Sequence, residues 1–72
     1  MQDLMNVNQV AKRLRSLRKD KKVSAAAVAK EIGISESALL MYEAGNRIPR
    51  DNIKIKLANY YEQPIGALFF GQ

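Results

Sequence analysis

The sequence predicts an all-helical chain built from five short helices. Three observations carry this. Proline occurs only at 49 and 64 and glycine only at 33, 45, 66 and 71, which divides 72 residues into pieces of helical length. Inside those pieces apolar residues recur every three or four places, the helical period. No stretch alternates apolar and polar residues at period two, so no sheet is expected.

The first helix is expected from about Val7 to Lys21, with Asn6 as its N-cap. Val7, Val10, Leu14 and Leu17 form its apolar stripe. Ser24 caps a second helix, where Val28, Ala29 and Ile32 face inward and Gly33 takes the left-handed position at the end. A third helix starts after the cap Ser35, runs from Glu36 to Ala44 and stops at Gly45, with Leu39 and Tyr42 inward. The fourth is expected from Asp51 to Tyr61, on Ile53, Leu57 and Tyr61. Pro64 opens a short fifth helix, Ile65 to Phe69, in which Ile65, Leu68 and one of Phe69 or Phe70 close the core. Gly33, Ile34 and Ser35 join helices two and three by a tight glycine-containing turn with an apolar plug beneath it. That is the physical requirement of a helix-turn-helix, here spanning about 25–44 of one domain, 1–72.

Composition removes whole classes of chemistry. The chain has neither cysteine nor histidine, which excludes disulfides, thiolate or imidazole metal sites and the Ser–His–Asp and Cys–His nucleophiles. No enzyme, metal, cofactor or small-molecule ligand is expected. There is no signal peptide and no run of 18 apolar residues, so the expected location is the cytoplasm, without a membrane partner. The net charge is +5, and Lys12, Arg13, Arg15, Arg18, Lys19, Lys21 and Lys22 hold seven of the twelve cations. Such a run reads either as a solvated helix face and polar turn or as a surface for a polyanion.

Leu14 to Lys19, Ala29, Gly33-Ile34-Ser35, Leu39, Tyr42-Glu43, Gly45, Arg47-Ile48-Pro49, Lys56-Leu57-Ala58 and Leu68-Phe69-Phe70 together resemble the Cro/repressor-type helix-turn-helix family over residues 8 to 70. The resemblance implies a compact five-helix bundle of the lambda-repressor-like type, with the third helix as the element placed in a major groove. A small basic member of this kind is most similar to a temperate-phage modulator of repression, an antirepressor. The partner so implied is the N-terminal helix-turn-helix domain of a cognate phage repressor, with DNA bound only weakly by the chain alone.

The outward residues of the third helix are Glu36, Ser37, Leu40, Met41 and Ala44, and none is basic. Ala25 occupies the position where the family often carries a phosphate-fixing Gln. Three readings follow. Leu40, Met41, Ala44 and Ala25 form an exposed apolar patch for a protein partner, with Glu36 opposite that partner's cations. Alternatively, in a Cro-like operator binder, Glu36 accepts from cytosine, Ser37 bonds either base, and Ala38 or Met41 touches thymine methyls. In the third, Leu40 and Met41 are ordinary core. Arg13, Arg47 and Lys54 are the candidate phosphate contacts, and Glu43 braces the turn after the third helix. Tyr60, Tyr61, Phe69 and Phe70 read as core rather than as a platform for bases.

Overall fold

The computed structural model describes residues 7–70, and its elements follow from local chemistry. Helix α1 covers Val7–Lys21, α2 Ala25–Ile32, α3 Glu36–Ala44, α4 Asp51–Tyr60 and α5 Ile65–Phe69. No strand occurs among the described residues. Asn6, the expected cap of α1, lies outside them.

Two serines start the central pair. Ser24 Oγ accepts from the Ala27 N–H and Ser35 Oγ from the Ala38 N–H, each at 3.0 Å, which satisfies donors that a helix start leaves unpaired. Two glycines end it. Gly33 has φ +88° and Gly45 φ +80°, a region that costs a side-chain-bearing residue about 1–2 kcal/mol. The N–H groups of Gly33 and Ile34 both reach the Ala29 carbonyl, closing α2 within one residue of where α3's cap begins. Gly45 has a second constraint: a Cβ there would stand 3.0 Å from Asn8 Oδ1, because α1 passes close by.

The core is filled where the stripes converge. Phe69, Leu14, Leu39, Leu57, Leu68, Val10 and Val28 are fully buried, and Ile34 plugs the turn from a half-buried position. Helix α1 packs on α3 and α5, α2 on α3 and α4, and α4 on α5. The result measures 35 × 23 × 21 Å.

Two expectations need correction. Helix α4 stops at Tyr60, and Tyr61 serves as its C-cap with φ −89° and ψ 1°. The Tyr61 ring remains buried, so apolar periodicity runs one residue further than the helix. Ile65, expected in the core, is 37% exposed. Five residues make about a turn and a half, and α5 turns only Leu68 and Phe69 fully inward, with Phe70 packed at the edge.

Candidate nucleic-acid interface

Along α3, positions 36, 40 and 44 step by four, and 37 and 41 fill the adjacent row. One helix face therefore carries all five. Glu36, Ser37, Leu40, Met41 and Ala44 are exposed there, with Leu40 at 44% and Met41 at 39%. Those two residues are not core, which removes the plain packing reading. Ala25 does not join the patch: it is buried, on the same stripe as Val28, Ala29 and Ile32. Ala26 and Ala27 are the exposed residues of that turn.

The face is uncharged apart from Glu36, because the other α3 carboxylate is turned inward. Glu43 is buried and held by Arg18 of α1 in a two-pronged pair. Arg18 Nε donates to Oε2 at 2.8 Å and Nη2 to Oε1 at 3.0 Å, the fork geometry that makes guanidinium–carboxylate bonds strong. Arg18 Nη1 also donates to the Val23 carbonyl at 3.2 Å. Arg15 Nη1 donates to the Glu43 carbonyl, where the dipole of α3 gathers negative charge at its end. The hydrogen bond to Glu43 raises the Arg18 pKa above its ordinary value, against the opposing effect of burial. Glu43 thus braces the end of α3, and two of the seven clustered cations serve the fold.

Nearby, the Tyr61 hydroxyl is buried without a hydrogen-bond partner. Burial pushes its pKa up to about 12; the Glu43 carboxylate and Tyr60 push the same way and Arg18 the other. Tyr60 and Tyr61 meet edge to face at 5.0 Å, and Lys21 rests over the Tyr60 ring. Tyr61 and Phe69 are buried and Tyr60 and Phe70 half-buried against the core, so the aromatics form no exposed platform.

The three candidate phosphate contacts fall in different places. Arg47 is exposed beyond α3, 5.8 Å over the Tyr42 ring. Arg13 Nη1 donates to the Ala67 carbonyl at 2.7 Å and so ties α1 to α5. Lys54 is not placed to meet a phosphate. It is buried, its ammonium lying 5.3 Å and 5.9 Å from the Phe70 and Phe69 ring centres and 3.7 Å from Asp51 Oδ1. An apolar stem and a ring-stabilised head let lysine occupy a core stripe, and this one points at α5 rather than at solvent.

The two capped helices, the three-residue turn and the exposed α3 stripe make a complete helix-turn-helix, and the helix-turn-helix domain family matches residues 11–71. The chain belongs to that family. Among curated proteins, none matches. Solved structures with this domain's fold include the P22 c2 repressor in complex with the synthetic operator 9T, at TM-score 0.83 and 25% identity over 88% of this chain and 96% of that one. The restriction-modification controller protein C.AhdI from Aeromonas hydrophila gives TM-score 0.80 and 28% identity, again over 88% and 96%. A helix-turn-helix transcriptional regulator from Vibrio cholerae is 31% identical over 86% of this chain but only 35% of its own, with TM-score 0.76. The domain has the fold of phage and bacterial repressors, and no described helix is long and apolar enough to cross a membrane.

Sequence reasoning missed the Arg15–Arg18–Glu43 clasp. Its signal was present as geometry, since Ala11, Arg15 and Arg18 lie on one flank of α1, but the partner is 25 or more residues away.

Proposed function

We infer that this domain is a DNA-binding transcription regulator that reads an operator through α3. The observation that carries the reading is the exposed α3 stripe on a scaffold that matches nearly the whole of an operator-bound P22 c2 repressor chain. Reading rests on shape and apolar contact. Ser37 donates or accepts at a base edge, Glu36 accepts from a cytosine amino group, and Leu40 and Met41 meet thymine methyls. Arg47 reaches a phosphate at the end of α3.

A second reading has one specific support: α3 carries two large exposed apolar residues and no cation. In that reading the domain is an antirepressor of a phage lysis/lysogeny switch. The α2–α3 surface docks on the DNA-facing surface of the cognate repressor, Glu36 pairs with a cation that the repressor uses on DNA, and the operator is released.

Fluorescence anisotropy with labelled operator from the same switch separates the two, titrated with this protein alone and then with repressor already bound. Binding alone tighter than about 10⁻⁸ M at physiological salt, lost when the site is scrambled, is the outcome of operator reading. No binding alone, with release of prebound repressor, establishes the antirepressor and overturns the first reading.

A further inference from the structure

The second flank of α1 carries a feature that neither reading uses. An open groove of about 620 Å³ runs between α1 and the turn into α5, lined by Lys12, Arg13, Ser16, Leu17, Gln63 and Leu68 among others. It lies away from α3. The α1 residues that approach α3 are Asn8 and Ala11, next to Gly45, and Arg15 and Arg18, on Glu43. At 100° per residue those four lie on one side of the helix, and Arg13 and Ser16 lie well over 90° round from their mean direction. A duplex or a repressor seated on α3 leaves this groove open.

We propose that the groove is a docking site for an acidic peptide segment of a partner protein, one carrying a single large apolar anchor between carboxylates. Its lining is chemically one-sided, with two cations and no carboxylate. Arg13 is already oriented, because Nη1 is fixed on the Ala67 carbonyl at 2.7 Å, and a guanidinium has further N–H donors for a ligand carboxylate. Lys12 supplies an exposed ammonium on the same wall. The floor is apolar, from half-buried Leu17 and buried Leu68, and accepts the anchor side chain. Ser16 and Gln63 are exposed and offer hydroxyl and amide groups to a peptide backbone. An open groove covers too little of a small molecule to hold one well, whereas an extended peptide fills it along its length. The proposal stands whether α3 binds DNA or a repressor, since it uses the other side of α1.

The test is a titration of the ¹⁵N-labelled full chain with the octapeptide Asp-Asp-Asp-Asp-Phe-Asp-Asp-Asp, followed by amide shifts, beside octa-aspartate as the control. Shifts are expected at Lys12, Arg13, Ser16, Gln63 and Leu68, with α3 silent and a dissociation constant on the order of 10⁻⁴ M. Octa-aspartate is expected to bind at least about fivefold more weakly, because it lacks the anchor. Lys12→Glu is expected to weaken the octapeptide about tenfold. Gln63→Glu is expected to do the same from the opposite wall, so the result does not depend on one variant's folding. No shifts at millimolar peptide overturn the proposal. So do equal affinities for the two peptides, or shifts spread over all the exposed cations, either of which is plain charge attraction.

Discussion

Removing Arg18 is expected to damage the fold more than removing its partner Glu43. The asymmetry follows from where each charge is left. Glu43 is 4% exposed and Arg18 26%. Arg18→Ala strands a carboxylate in the interior, beside a tyrosine hydroxyl that already lacks a partner. Breaking a buried pair this way costs about 3–5 kcal/mol, and the partial exposure of the pair puts this case at the low end, about 3 kcal/mol. Glu43→Ala strands a guanidinium that keeps its bond to Val23 and already reaches water, so about 2 kcal/mol is expected. Replacing both by apolar residues of similar length, Arg18→Met with Glu43→Leu, recovers most of the loss, because no unpaired charge remains. Urea denaturation followed by circular dichroism measures all four proteins. In a domain this small 3 kcal/mol is a fall of roughly 12–24 °C in Tm, which thermal melts resolve. The reasoning fails if Arg18→Ala loses under 0.5 kcal/mol, if Glu43→Ala is the worse variant, or if the double variant loses the sum of the two singles.

Other outcomes follow from the same geometry. Leu40→Asp and Met41→Asp are expected to keep parental helicity, since both side chains are exposed, while weakening whichever macromolecule α3 binds by at least about tenfold in anisotropy or calorimetry. Tyr61→Phe removes a buried hydroxyl without a partner and is expected to stabilise by about 1 kcal/mol in urea melts; a loss of stability means the hydroxyl has a partner after all. The parent itself is expected to lose stability at high pH. Tyr61 has a folded pKa of about 12 against 10.0 unfolded, so this contribution is intact below pH 10 and fades as pH rises to 12, by about 2 kcal/mol at most. In Tyr61→Phe that alkaline loss is expected to shrink. Gly45→Ala is expected to cost more than Gly33→Ala by differential denaturation, because both bear a positive φ but only a Cβ at 45 crowds Asn8.

Much of the fold was legible because its boundaries are local events. Ser24, Gly33, Ser35 and Gly45 fix the helix-turn-helix through bonds made within four residues, and those boundaries agree with the structure. At Ala25 and Lys54 residue type points outward while position points inward. Ala25 begins the series 25, 28, 29, 32, and Lys54 the series 54, 57, 58, 61, each the i, i+3, i+4, i+7 pattern of a buried stripe. Read by position, both belong inside, and the structure puts them there. The family resemblance at Ala25 and the charge of Lys54 suggest the opposite placement. Ile65 shows the opposite limit, since five residues are too few for a period to say which apolar side chain is left outside. The α3 face was legible because Leu39 and Tyr42 set the inward direction and left Leu40 and Met41 the outward one. What no local pattern reveals is a partner far along the chain, such as the Ala67 carbonyl 54 residues from Arg13.

These distant partners change what the net charge means for DNA. A chain of +5 with seven cations in eleven residues suggests a strong phosphate grip. In the folded domain Arg13, Arg15 and Arg18 donate to Ala67, Glu43 and Val23, and Lys21 lies over Tyr60. Lys54 is buried against Phe69 and Phe70. Of the three phosphate candidates Arg47 alone is exposed without a hydrogen bond to a carbonyl, and it stands next to α3, where a duplex would lie. Each phosphate neutralised contributes a slope of about −0.9 to log K against log salt. One to three contacts per domain, Arg47 among them, therefore predict a slope between about −1 and −3 for a monomer on its site, shallow for a chain of this charge. Anisotropy titrations from 50 to 300 mM salt measure it, with Arg47→Ala expected to flatten the slope by about one contact. A slope of −5 or steeper, unchanged in Arg47→Ala, overturns this count and puts the backbone on other cations, the exposed Lys12, Lys19 and Lys22 among them.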